Sequence, residues 1–322
     1  MKRDIFDNIS PLDHRYSLRE KDFQEYSQYF SEKATIKYQA AVELALVKVM
    51  AGRGLCSRKV VAEVEGAVNN LDVEEIYAEE KRTKHNIRAL VNCIRNKVSE
   101  QARPFVHLSA TSYDIVDTAN SLRFKEAAQK LIIPHLEGLL SEWLKIAEDH
   151  KETLQIGRTH GQHAEPITFG LVIAYYCSRL HQSLKKLEQA AVNLRGKMSG
   201  AVGAYNASSI FFTDPDQFEE EVLAEIGLKA GTVSTQIVAP EYLTDFVHSL
   251  IKIFGILADY SDDMRHLQRS EISEVGEYFA AEQVGSSTMP HKRNPINYEN
   301  VKSMWKEFMP RMITIYQDQL SE

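Results

Sequence analysis

The chain has 322 residues, 43% of them hydrophobic and 26% charged, with a formal net charge of −7. These are the proportions of an ordinary globular protein with room for a sizeable core, and the mild acidic balance speaks against a general nucleic-acid or anionic-membrane surface. Cys56, Cys93 and Cys177 lie far apart without C-x-x-C spacing, which argues against a disulfide framework or a cysteine-based zinc site and suits a reducing cytoplasm.

The first stretch, "MKRDIFDNISPLDHRY", lacks the apolar core of a signal peptide. No later stretch approaches the roughly 18 apolar residues of a membrane span. A soluble, cytoplasmic protein without membrane or nucleic-acid partners is expected. Up to residue 107 the helical segments are short and charged, as in "EVEGAVNNLDVEEIYAEEKRTKH", and they predict a smaller N-terminal helical domain, 1–107. From residue 108 the pattern lengthens. Residues 115–150 read as helix with Pro134 a kink or break, and 157–170 as a loop whose Glu165-Pro166 opens the next helix. Residues 171–195 contain no glycine or proline, and Leu171, Ala174, Cys177, Leu180, Leu184 and Leu187 recur at three- and four-residue spacing. Residues 240–265 and 295–322 read as helix too, the last one kinked at Pro310. Alternating β-branched runs are almost absent. The prediction is an all-α protein whose second domain, 108–322, is a bundle of long helices. The chain stops inside an apparent helix, "SMWKEFMPRMITIYQDQLSE", and a continuation beyond residue 322 is expected.

Three irregular stretches interrupt the helices: "HLSATSYDIVDTAN" (107–120), "GRTHGQHAEPITFG" (157–170) and "VGSSTMPHKRNP" (284–295). Each puts polar residues just before a long helix, where free N–H groups and the positive dipole end favour anions. Plainer readings stand beside the functional one. "TSYD" is also a helix-capping pattern, the pair His160 and His163 could be metal ligands, and Gly-Ser-Ser alone could be a linker. The third stretch, however, gathers Lys292, Asn294 and loop N–H groups around Ser286 and Ser287, too many directional donors for a linker. If the substrate is a succinyl group carried on nitrogen, elimination removes a weakly acidic proton beside a carboxylate. The resulting aci-carboxylate needs preorganised donors, a base within hydrogen-bond reach and an acid for the leaving nitrogen. A serine serves as base only where its alkoxide is stabilised; a histidine oriented by a carboxylate suits the acid.

These three stretches, in this order, resemble the fumarase/aspartase superfamily of lyases over essentially the whole chain. Within it "PLDHRYS", "TKHNIRALV", "FVHLSATSYDIVDTA", "GRTHGQHAEP", "GAVGAYNA" and "MPHKRNPINYEN" are similar to the adenylosuccinate lyase family. The resemblance implies an all-α homotetramer with each active site shared between subunits. It implies cleavage of adenylosuccinate to fumarate and AMP, and of the succinylated carboxamide ribotide (SAICAR) earlier in purine synthesis, without metal or organic cofactor. By the same resemblance His160 is the general acid, Ser286 the general base and Glu299 the carboxylate paired with the histidine. Lys292 and Asn294, helped by Thr111 and Ser112, hold the succinyl carboxylates. Arg15 and Tyr16 hold the nucleotide phosphate, while Lys84, His85, Asn86, His107 and Gln236 line the substrate pocket. His291 and Arg293 are left as loop structure.

Two departures from the family pattern carry weight. Asn86 stands where many members have aspartate, which removes a charge near the nucleotide. Members also continue well past residue 322, with a phosphate-binding segment and a third helical domain. Among rivals, argininosuccinate lyases carry "MPQKKNP" in place of "MPHKRNP", and carboxymuconate cycloisomerases share the whole third loop. A catalytically silent structural relative would tend to lose His160 or Ser286, and both are present.

Overall fold

The computed structural model describes residues 20–320, and the expected phosphate pair, Arg15 and Tyr16, lies outside the described residues. The chain gathers into two compact units that interleave along the sequence, residues 20–131 with 191–243 and residues 132–190 with 244–320. Residue 107 falls inside the first of them.

The first unit is built around one almost fully buried helix. A short helix α1 (Glu20–Phe30) leads to Ser31, whose hydroxyl accepts the Ala34 N–H at 3.1 Å and starts α2 (Glu32–Gly52). α2 is apolar nearly all round, with Ala40, Val42, Leu46, Val47 and Met50 each 0% exposed, the mark of a helix surrounded by others. Val42, Leu46, Val47 and Met50 each contribute about 1.5–3 kcal/mol when buried. The shorter helices α3 (Arg58–Asn69), α4 (Val73–Thr83) and α5 (Asn86–Asn96) follow. α5 lays Ile87, Leu90, Val91 and Ile94 into the same core. α6 (Ser112–Ala127) packs along α2, as does α9 (Pro215–Glu225). Arg53, just after α2, grips Glu221 of α9 at 2.8 Å and lies over the rings of Phe212 and Phe218.

In the second unit the helices are longer. α7 (Ile133–Asp149) and α8 (Phe169–Asn193) bracket a hairpin of β1 (Leu154–Thr159) and β2 (Gln162–Thr168); α10 (Glu241–Leu267), α11 (Ile296–Phe308) and α12 (Arg311–Gln317) complete the chain. The core of this unit is aromatic: Trp143 lies 4.5 Å from Tyr260 and 6.2 Å from Tyr176, centroid to centroid, and Tyr260 is 6.2 Å from Tyr298. The Tyr176 hydroxyl donates to Asp263 at 2.5 Å, so the polar end of the ring is satisfied inside the bundle.

The all-α expectation holds, with two local differences. In residues 115–150 the interruption expected at Pro134 takes the form of a π-turn: α6 closes at Ala127, the π-turn spans Ala128–Ile132, and α7 follows directly from Ile133 with Pro134 in its first turn. The stretch 157–170 is not all loop. Most of it forms the hairpin, in which Pro166 faces Ile156, and the next helix opens at Phe169 behind Thr168, whose hydroxyl accepts the Leu171 N–H at 3.2 Å. Pro310 divides α11 from α12 instead of kinking one helix. Among the described residues no helix is long and apolar enough to cross a membrane.

Candidate active site

Each unit carries a cluster of the sequence-predicted residues. In the first unit the cluster forms where the ends of α5 and α6 meet two loops. Lys84 takes the left-handed backbone, φ 55°, that ends α4, and His85 caps α5 by accepting the Arg88 N–H on Nδ1 at 3.3 Å. The other ring nitrogen of His85 is 3.4 Å from the Ser112 hydroxyl, so two of the predicted pocket residues, 27 positions apart, meet here. Asn86 follows in the first turn of α5, its side-chain oxygen accepting the Ile87 N–H at 2.8 Å. Lys84, His85 and Asn86 are exposed, whereas Thr111 and Ser112 are half-buried.

Beneath them lies a polar core. Asp114 accepts the Thr111 N–H at 2.8 Å, which fixes the start of α6, and the Gly200 N–H at 3.2 Å. It also forms an ion pair with Lys197, a side chain as deeply buried as its own. Burial pushes the Asp114 carboxyl up, and Lys197 with the two N–H groups pulls against it. Thr118 bonds both the N–H and the C=O of Lys197 at 2.9 Å. The loop "GAVGAYNA" (200–207) is thereby tied to α6. Gly203 has φ +72°, and a Cβ there would overlap the Ser234 carbonyl oxygen. The Ser199 and Ser234 hydroxyls are 2.7 Å apart. That contact brings the loop carrying Gln236 alongside, and Gln236 itself is exposed.

His107 has a partner that sequence reasoning did not identify. Its Nδ1 lies 2.6 Å from Oε1 of Glu43, a carboxylate on α2 with 0% exposure. Burial disfavours the imidazolium, but the Glu43 charge and hydrogen bond outweigh it and raise the His107 pKa above the ordinary histidine value. A lone glutamate in "AAVELALVKVM" was the available signal.

In the second unit the expected acid and base stand on different supports. His160 and Gly161 are the two-residue turn of the hairpin, between the paired Thr159 and Gln162. Both have positive φ, 55° and 73°, as a type I′ turn requires, and the turn presents the exposed His160 at its tip. Behind the tip Arg158 is clamped on Glu274, which also accepts from Gln155 at 2.9 Å. Arg158 holds the Glu274 carboxyl below its usual range. A groove of about 620 Å³ opens beside the hairpin, lined in part by Arg158, Gly161, His163, Asp263, His266 and Arg269.

The stretch 284–295 is a tightly folded loop. Gly285 lies against the Lys292 backbone so closely that any Cβ would overlap its carbonyl oxygen. The Asn294 amide closes the loop by donating to the Gly285 carbonyl at 3.0 Å. Within it the Ser286 Oγ accepts the backbone N–H groups of Thr288 and Met289 at 3.3 and 3.2 Å. Arg293 rests over the Phe279 ring, and Lys292 and His291 are exposed. The loop runs into α11, whose opening N–H groups on Asn297 and Tyr298 are capped by Glu277 at 3.2 and 2.9 Å. Glu299 sits exposed in that first turn. Within the chain no hydrogen bond or ion pair joins His160 to Glu299 or to Ser286 among the described residues. Nor is there a group of three or more His, Cys, Asp or Glu side chains that could hold a metal ion.

A family model described as lyase matches residues 15–309. Among curated proteins, the chain is 37% identical over 298 residues to the adenylosuccinate lyase of Aquifex aeolicus, covering 92% of this chain and 66% of that protein. To the adenylosuccinate lyase of Bacillus subtilis it is 38% identical over 251 residues, covering 77% and 56% respectively. The chain thus spans about two thirds or less of the length of these relatives. Among solved structures, a 3-carboxy-cis,cis-muconate lactonizing enzyme from Pseudomonas putida superimposes with a TM-score of 0.82 at 26% identity, covering 92% of this chain and 66% of that one. A fumarate lyase from a Mesorhizobium species shares the fold, with a TM-score of 0.79 over 92% of this chain and 66% of that one at 23% identity. With the helical fold, the three polar loops and the family match in agreement, the chain belongs to this lyase family, the superfamily of fumarase and aspartase that its motifs resemble.

Proposed function

We propose that the protein is an adenylosuccinate lyase that eliminates fumarate from adenylosuccinate to leave AMP, and that it cleaves the succinylated carboxamide ribotide in the same way. The observation that carries the chemistry is the environment of Ser286, whose oxygen already receives two backbone N–H groups. Those donors lower the cost of an alkoxide, the form in which a serine can act as base. In the proposed reaction Ser286 takes the proton from the carbon beside the succinyl carboxylate. The extra charge moves onto that carboxylate, next to Lys292 and Asn294. The carbon–nitrogen bond then breaks, and His160 donates a proton to the leaving nitrogen. Glu299 supports the charged imidazole. Thr111 and Ser112, at the start of α6, bind carboxylate oxygens with the N–H groups of a helix N-terminus behind them. Lys84, His85, Asn86, His107 and Gln236 line the nucleotide side, completed by Arg15 and Tyr16.

His160 and Glu299 do not meet within one chain, as expected if the pair forms across a subunit boundary in a cytoplasmic homotetramer. The adenylosuccinate reading is favoured over the muconate one by its relatives, 34–38% identical against 26% for the solved muconate enzyme. The test is a substrate panel given to the protein at the full length of its relatives: adenylosuccinate, argininosuccinate and 3-carboxymuconate. Turnover of adenylosuccinate alone is the expected result; turnover of either other substrate in its place rejects the assignment.

A further inference from the structure

Glu43 is an anomaly by its position. It lies in the middle of the most apolar helix of the chain and is completely buried. Oε1 meets His107, while Oε2 is buried with no hydrogen-bond partner among the described residues. A half-satisfied carboxylate in a core is destabilising relative to an apolar side chain of the same size. The fold therefore gains nothing from it that an apolar residue would not supply better. His107 is costly in its own way: its backbone is left-handed, φ 63°, although it is not glycine.

Three elements bring charged groups to His107. Glu43 comes from α2 and Asp114 from α6, and both favour the imidazolium; Arg95 comes from α5 and opposes it. The Arg95 guanidinium also donates to the Val106 carbonyl at 2.9 Å, fixing the backbone beside His107. The Nδ1 atom is thus committed to Glu43. No hydrogen bond joins Nε2 to another of the described residues, and the His107 side chain keeps 17% of its surface exposed.

We propose that Glu43 is a positioning residue for the proposed reaction: by accepting the Nδ1 proton of His107, it holds that ring oriented and charged so that Nε2–H binds an anionic oxygen of the substrate. The chemistry fits a phosphate or a carboxylate, both of which are negatively charged acceptors for a charge-assisted hydrogen bond. The proposal rests on the lyase reading only for the source of that anion.

The test uses the full chain with histidine labelled at Cε1 and nitrogen, and follows the His107 signals by NMR against pH. In the wild type His107 titrates above the ordinary value of about 6.5, and on losing its proton it keeps the Nδ1–H tautomer. Glu43→Gln, which preserves shape, lowers the midpoint by about one pH unit or more, and Glu43→Asp restores most of it. Inorganic phosphate and succinate are then added separately. The anion bound at this place shifts the His107 signals, and binds about tenfold more weakly to Glu43→Gln. With substrate, Glu43→Gln raises KM much more than it lowers kcat, and Glu43→Asp recovers KM. If Glu43→Gln does not fold, the wild-type titration still decides: a midpoint at or below about 6.5 overturns the proposal. So does an unchanged midpoint in Glu43→Gln, or His107 signals that neither anion moves. Because the titration and the anion shifts need no turnover, the two readings fail separately. Loss of the Glu43-dependent titration overturns the His107 site whatever the activity, whereas absence of fumarate release with the titration intact counts against the proposed activity and leaves an anion site at His107 held by Glu43.

Discussion

Replacing Lys197 by methionine removes one half of the ion pair beneath the start of α6. Lys197 and Asp114 have side-chain exposures of 1% and 0%, so the substitution strands a buried carboxylate with only the N–H groups of Thr111 and Gly200 to hold it. Breaking a buried pair in this way costs about 3–5 kcal/mol. For a domain of about 150–250 residues that corresponds to a melting temperature lower by roughly 6–20 °C. Removing the stranded charge as well, in Lys197→Met with Asp114→Asn, should recover part of the loss, because the asparagine can still accept the Thr111 N–H. The assay is a double-mutant cycle by calorimetry or thermal circular dichroism at pH 7, with Asp114→Asn as the fourth corner. A coupling of about 1.5 kcal/mol or more between the two positions is expected. A Lys197→Met protein that melts within about 2 °C of the wild type, with additive effects in the double mutant, would refute the reasoning.

Ser286→Ala should abolish turnover while leaving substrate binding measurable by calorimetry; near-normal turnover removes serine as the base. His160→Ala should lose activity by about 10²–10⁴-fold, and a loss below about threefold sinks its role as acid. Gly285→Ala places a methyl group on the Lys292 carbonyl, so it should lower kcat/KM sharply while leaving the melting temperature nearly unchanged, and normal kinetics would mean the loop tolerates opening. His107 has a folded pKa raised by Glu43; its stabilising contribution is therefore complete below the unfolded value of about 6.5 and disappears as pH rises through the raised folded value. The stability difference between wild type and His107→Gln, measured by urea unfolding, should shrink over that window, and a difference that grows with pH contradicts the pairing.

The helices were legible because they announce themselves locally. The three- and four-residue recurrence holds from Cys177 onward, where Cys177, Leu180, Leu184 and Leu187 are buried in α8; its first two members, Leu171 and Ala174, are exposed, and Ile173 and Tyr176 are the buried residues of that turn. The hairpin was not legible. Its turn is His-Gly, not the Asn-Gly or Asp-Gly that marks such turns, and a proline stands inside β2. The π-turn at Ala128–Ile132 was visible only through Pro134, two residues beyond it: a proline marks that the helix is disturbed and leaves open whether it kinks, breaks or bulges. Of the candidate site, the donor-rich loop at 284–295 could be read because its residues lie next to one another. Glu43 with His107, and Lys197 with Asp114, are separated by 64 and 83 positions. Such pairs exist only once the chain has folded, and nothing in the local pattern of either segment names its partner.

The most direct test of the central claim mixes two inactive proteins, Ser286→Ala and His160→Ala, at the full length of their relatives. They are unfolded together, refolded together and assayed for fumarate release from adenylosuccinate. A site shared between subunits assembles some complete sites in mixed tetramers, so fumarate release should return in the mixture while each parent alone remains silent. Mixed assemblies, verified by differential tagging, that release no more fumarate than either parent would contradict the account.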